Sequence, residues 1–325
     1  MNKSKISGTI RNFLLIILIF IGAYAGLKTY VSYQTMKTVE RVVSDAKPVV
    51  DIHYGEVLSS FDGKISLKDV SLEIVETGDM VHVQSVIINN GNLLELYKFT
   101  KAFSSGKRPR YLNLSILGFS VGLNSRLVES YRDALNYSHP PFPEKEKLLN
   151  CGDIFKFDAE LLTVLGYAGS KIDFSVVVDL RSSNAMLELG IQYPDLTMIT
   201  IKSSFEPEGI YAVAIPSADS IKLKDFEMVL NPGRFLEESM EYCMKKENAT
   251  KEQVNRAFLL QFEQRMTELN IQPDSDMLKE YRKFLNTPSQ LVVTASPPKP
   301  VDLETLRKYD PVDVPGLLNM GFTVE

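Results

Sequence analysis

The sequence predicts an α+β protein: an N-terminal transmembrane helix, an antiparallel strand-rich exported region, and a helical segment near the C-terminus. Three observations carry this. An uninterrupted apolar run fills residues 13–27 behind Lys3, Lys5 and Arg11. From residue 49 to residue 230, short segments alternate apolar and polar side chains between turn-forming residues, the pattern of strands with one dry and one wet face. After residue 231 the apolar spacing changes to three and four, the period of an amphipathic helix.

The apolar run comes first. Basic residues before it place that end in the cytoplasm and the rest of the chain outside. Fifteen helical residues cover only about 22 Å of a roughly 30 Å hydrocarbon core. Extended from Ile10 to Val31, the helix covers about 33 Å with Arg11 and Lys28 snorkelling toward the interfaces, and the transmembrane helix is expected at 13–31. A retained inner-membrane anchor is expected, with the main domain in the periplasm. A signal peptide cleaved near Ala23-Tyr24-Ala25 and a buried helix of a soluble protein are the alternatives. Residues 1–12 are then cytoplasmic, and residues 32–48 continue the helix outward or form a stalk. Met36, Val39, Val42 and Val43 share a rough helical face there.

The first strand-rich unit is expected over 49–150. Residues 49–57 alternate loosely, and the 61–64 turn places Gly63 where a positive φ is useful. Residues 64–75 alternate strongly through Ile65, Leu67, Val70, Leu72 and Ile74, with a slip at Asp69-Val70 of the kind a β-bulge produces. Residues 80–88 give the third strand of a meander. A helix over 93–103, a long strand over 111–123 with Gly118 and Gly122 at bends, and a short helix over 124–136 follow. Pro140, Pro141 and Pro143 close the unit.

The second unit, 151–230, starts with a helix over 157–167. Strands follow at 171–180, 184–193, 196–201, 209–215 and 221–229, and short strands without intervening helices mean antiparallel sheet. The last part, 231–325, holds a helix to about residue 246, a second helix behind the Thr250/Gln253 capping box, and a third capped by Asp274 or Ser275. A strand over 290–295, expected to pair with an earlier sheet, a short helix at 303–309 and a tail complete it.

Composition narrows the chemistry. A chain of 325 residues with 44 % hydrophobic content builds its own core. A net charge of -5 offers no basic field, so no nucleic-acid partner is expected. Three histidines (His53, His82, His139) are scattered, and HExxH, GxSxG, GxGxxG and P-loop patterns are absent. No catalytic, cofactor-binding or metal site is expected. His53 and His82 read as sheet residues, Asp153 as a turn or cap, and Glu237, Glu238 and Glu241 as a solvated helix face with Lys245. The Asn-x-Ser/Thr triplets at Asn113, Asn136 and Asn248 are incidental in a prokaryotic host. Cys151 and Cys243 are the two cysteines, and export would allow them to form a disulfide, worth about 4 to 5 kcal/mol on a loop-entropy view. Two separate buried thiols are the alternative.

Gly63, Ile65, Leu67, Asp69, Val70 and Leu72, following an anchored helix and followed by the strand at 80–88, form a "G-x-[IVL]-x-[IVL]-x-[DN]-[VIL]-x-[IVL]" pattern. In this the chain resembles the AsmA-like family of envelope proteins over about residues 10 to 90. The resemblance implies phospholipid transport or outer-membrane homeostasis. The chain departs from the long members of that family by turning helical after residue 230. Three functions are thus in view. The first is a non-enzymatic envelope protein that binds or helps transfer phospholipid. The second is a structural scaffold subunit for a membrane or envelope protein. The third is an exported hydrolase with Asp153 as its named candidate. A curved sheet with a dry face can hold acyl chains, or the same face can be filled by the helices of 231–286.

Overall fold

A computed structural model describes residues 3–60, 62–105, 110–122, 125, 126, 128, 129, 159–167, 169–182, 184–193, 196–206, 222–306 and 308–325. For residues 3–23, 103, 104, 159, 160, 303 and 304 only the backbone is described. The chain begins with a single helix, α1 (Lys3–Ala46), followed by β1 (Val50–His53), β2 (Glu56–Ser59), β3 (Lys64–Ile74) and β4 (Met80–Asn89). Then come α2 (Leu93–Ser104), β5 (Tyr111–Val121), α3 (Ala159–Val164), β6 (Ile172–Asp179), β7 (Ala185–Tyr193), β8 (Thr197–Glu206) and β9 (Lys222–Asn231). The C-terminal part is α4 (Phe235–Glu247), α5 (Lys251–Glu268), α6 (Ser275–Asn286), β10 (Leu291–Ala295), β11 (Val301–Asp302), α7 (Leu303–Leu306), α8 (Val314–Leu318) and β12 (Met320–Val324).

The transmembrane helix expected at 13–31 is corrected. Among the described residues no helix is long and apolar enough to cross a membrane. Two physical reasons account for the misreading. The apolar run is some five residues shorter than a hydrocarbon core requires. The helix also continues unbroken through the polar residues to Ala46, and the end of the expected span is used inside the protein. Val31 is fully buried with Ile65, Leu93 and Leu96, and Leu27 packs at the edge of that cluster.

The strands form one antiparallel sheet of twelve among the described residues, in the order β1-β3-β4-β5-β6-β7-β8-β9-β10-β12, with β2 also on β3 and β11 on β9. Residue 49–57 is thus two short strands broken at Tyr54-Gly55, both paired to β3. The sheet runs without interruption from the first strand-rich stretch into the second, because β5 pairs β6. The strand expected at 209–215 and most of the helix expected at 124–136 lie outside the described residues. The β12 strand was not foreseen; it pairs the whole length of β10.

Residues directly opposite one another in an antiparallel pair point to the same face. Following the register across the sheet gives the row Val57, Leu67, Val86, Ile116, Phe174, Ile191, Ile199, Leu230, Leu291 and Val324. A neighbouring row reads Ile65, Ile88, Leu114, Val176, Leu189, Ile201, Met228, Val293 and Phe322. One face of the sheet is therefore apolar from end to end. The opposite face carries small and polar groups in the middle of the sheet, as in the row Ser115, Ser175, Gly190 and Thr200, which Ile87 and Val229 flank.

Keeping that face apolar through β3 to β5 requires a change of pleat phase. Ile65 and Leu67 share the cavity side with Val70 and Leu72, although the numbering changes parity between them. Asp69, with φ 52°, makes the switch. The bulge expected at Asp69-Val70 is corrected in kind, because Lys68↔Ser85 and Val70↔Val83 keep one register. The extra residue sits two strands away, in β5, where the register to β6 shifts between Ile116 and Phe119. Gly118 occupies that point with φ +65°, and its N–H donates to Asp173 Oδ1 at 2.7 Å. A bulge of this kind bends its strand and increases the local twist.

Helices cover the apolar face at both ends. At the C-terminal end, α4, α5 and α6 bury Met240, Cys243, Val254, Phe258, Phe262, Tyr281, Phe284 and Leu285 against Leu291, Val293 and Val324. Phe262 stacks on Tyr281 with ring centroids 4.2 Å apart. The capping box of Thr250 and Gln253 is formed, and Asp274 caps α6 through the N–H groups of Asp276 and Met277. At the N-terminal end, α1 and α2 lie over β2 to β5 on the same face.

Candidate functional site

The two helical covers differ in how they meet the sheet. The C-terminal helices fill the space with aromatic and large aliphatic side chains. At the N-terminal end α1 offers smaller ones. Thr35, Thr38, Val39, Val42 and Val43 recur at spacings of three and four, so they form one stripe facing the sheet. Opposite them stand Ile52, Ile65, Leu67, Val70, Leu72, Val83, Val86, Ile88, Ile116 and Phe119, with Phe99 and Thr100 from α2. Short side chains on a helix held away from a concave sheet leave space between them. That space is a groove of about 380 Å³, within the roughly 300–1,000 Å³ range of small-molecule sites.

The lining is hydrocarbon. The threonine hydroxyls face away in part: Thr38 Oγ1 donates to the Gln34 carbonyl at 2.8 Å and Thr100 Oγ1 to the Tyr97 carbonyl at 3.0 Å. Such back-bonding leaves the γ-methyl as the outward group. The helix is held at this height by the Val31 cluster at one end of the stripe and by a hydrogen bond between the Ser32 and Ser59 hydroxyls. Phe119 packs edge-on against Phe174 at 5.4 Å, carrying the apolar surface onward to β6.

The residues singled out by sequence lie elsewhere. His53 is an exposed residue of β1, 3.5 Å from Asp51, and His82 is exposed on β4. His139, Asn136, Asp153 and Cys151 lie outside the described residues. Asn113 lies within β5, and Asn248 ends α4 in the left-handed region. Glu241 and Lys245 pair at 3.8 Å on an exposed helix face, as expected. Glu238 departs from that face: it accepts from the Tyr167 hydroxyl at 2.7 Å, and Arg234 donates to the same hydroxyl at 3.0 Å. Burial, then the bond to Glu238, raises the Tyr167 hydroxyl above the usual phenol range. The trio ties α4 to the residues after α3 and touches no cavity described above. Cys243 is wholly buried; Cys151 lies outside the described residues, so the expected bridge between them is not placed.

Sequence reasoning allowed for a groove on the dry face of the sheet but did not place it under α1, although it noted Met36, Val39, Val42 and Val43 as a face; of these Met36 is exposed. The available signal was the pairing of that face with the phase-switched row of β3. Fold and site define a class: an antiparallel sheet with one continuous apolar face, filled at one end and roofed over an open groove at the other. Among known proteins, a family model described as "Uncharacterized protein" matches residues 176–325, the part from β6 onward. No curated protein matches the chain.

Proposed function

We propose that the protein binds the hydrocarbon chain of a phospholipid in the groove between α1 and strands β1, β3, β4 and β5, without catalysing a reaction. The observation that carries this is a cavity walled only by aliphatic, aromatic and methyl groups. Water gains little in such a space, whereas each methylene removed from water contributes about 0.8 kcal/mol. A chain of roughly ten carbons thus gives several kcal/mol of gross stabilisation before ordering costs. The resemblance of residues 10 to 90 to AsmA-like envelope proteins supports the same reading, and most of the groove's lining, apart from Phe99, Thr100, Ile116 and Phe119, lies within those residues. A role in envelope homeostasis outside the cytosol is part of the proposal. It rests on that resemblance and does not call for a membrane-crossing helix.

The test uses the full chain purified without detergent, extracted and analysed by mass spectrometry. Phospholipid is expected at a substantial fraction of one per protein. Val39→Trp and Val43→Glu, at half-buried positions of α1, are expected to remove most of it while leaving the circular dichroism spectrum unchanged. Wild-type protein that carries no lipid and takes up no fluorescent fatty acid would rule the proposal out.

A further inference from the structure

A second cavity, of about 410 Å³, opens beside the groove and shares Phe99 with it. Its chemistry is the opposite. Lys98, Arg110 and Arg181 line it, against one lining carboxylate, Glu95. The elements that build the groove continue into it. The β4 strand gives Ile88 to the groove, and Asn90, just past its end, lines the cavity; α2 gives Phe99 to both.

Two features make this a built site rather than a scatter of surface charge. Arg181 is held in place: it forms two bonds to Asp179, at 2.9 and 2.6 Å, and lies 4.0 Å above the Tyr111 ring. The Arg181 guanidinium in turn holds the Asp179 carboxyl below its ordinary range. Asn90 is 4 % exposed, and its side-chain nitrogen has no hydrogen-bond partner among the described residues. The wall of the cationic cavity thus holds a buried donor whose hydrogen bond is unmade, which costs free energy until an acceptor reaches it.

We propose that this cavity takes the phosphate group of an anionic amphiphile whose chain lies in the adjoining groove. The assignment rests on the proposed function, because it gives that ligand its polar end. Guanidinium groups suit phosphate oxygens, which accept planar, paired hydrogen bonds. Lys98, paired with Glu95 at 2.6 Å, adds its charge from the exposed face of α2.

The test measures binding to the full chain by calorimetry with three probes: dodecyl phosphate, dodecanol and inorganic phosphate, each below its aggregation limit. Dodecyl phosphate is expected to bind at least tenfold more tightly than dodecanol. That ratio is expected to fall at least fivefold in Arg110→Gln, at an exposed position, and in Asn90→Asp, which exchanges a buried donor for a repelling oxygen in the same shape. A wild-type ratio near one, or a ratio unchanged in both variants, overturns the proposal. Saturable binding of inorganic phosphate with no gain from the chain assigns the cavity to free phosphate and also overturns it. Failure of both dodecyl probes to bind removes the groove reading itself, and this proposal with it.

Discussion

Gly63 leaves the β2–β3 turn with φ +81°, and a Cβ built there would clash with the Asn92 carbonyl. Its own carbonyl accepts from the Asn90 N–H at 3.1 Å, and the Asn92 side chain accepts from the Glu95 N–H at the start of α2. One glycine thus sets the turn, the start of α2 and the Asn90 backbone together. Gly63→Ala is expected to lower stability by more than about 1 kcal/mol, from the left-handed strain alone and then from the contact. Urea denaturation checks this, and an unchanged midpoint would contradict it. The turn was legible because its signals are local, within four residues. Asp69 was only half legible. The phase slip shows in the alternation of β3, but the added residue that accompanies it is in β5, some fifty positions later in the chain.

At the scale of elements, local periodicity and caps located most of the secondary structure. Strands β3 to β7 and β9, α2 and helices α4 to α6 were expected within a few residues of where they lie, whereas β8 runs five residues past its expected end. Thr250 is the clearest case: its hydroxyl accepts from the Gln253 N–H, and the Gln253 side chain accepts from the Thr250 N–H. Thr250→Ala is expected to cost about 1 kcal/mol, read as a lower denaturation midpoint with an unchanged m-value; a cost near zero would show that packing alone holds the start of α5. What failed at this scale depends on distant partners. β12 is five residues long and is fixed by pairing with β10. The N-terminal helix was misread because an apolar run of fifteen residues resembles a membrane span. The same stretch also serves a helix whose later turns, from Leu27 to Val43, roof a sheet.

For the whole molecule, the question left open by the sequence was whether the dry face of the sheet is filled or open. It is both. The helices after residue 231 fill its C-terminal end with Phe258, Phe262, Tyr281 and Phe284, whereas α1 covers the N-terminal end with valine and threonine. Alternation alone could not divide the face in this way, since the strand pattern is the same at both ends. The division depends on the size of side chains on helices that are far apart in sequence. The most direct measurement is a crystal structure of the full chain with a bromine-terminated dodecyl phosphate, located by the anomalous signal of bromine. The expected peak lies between Val39 and Val43 of α1 and Val83 and Ile116 of the sheet. A groove closed by collapse of α1 onto the sheet, or bromine found only elsewhere on the protein, would contradict the account.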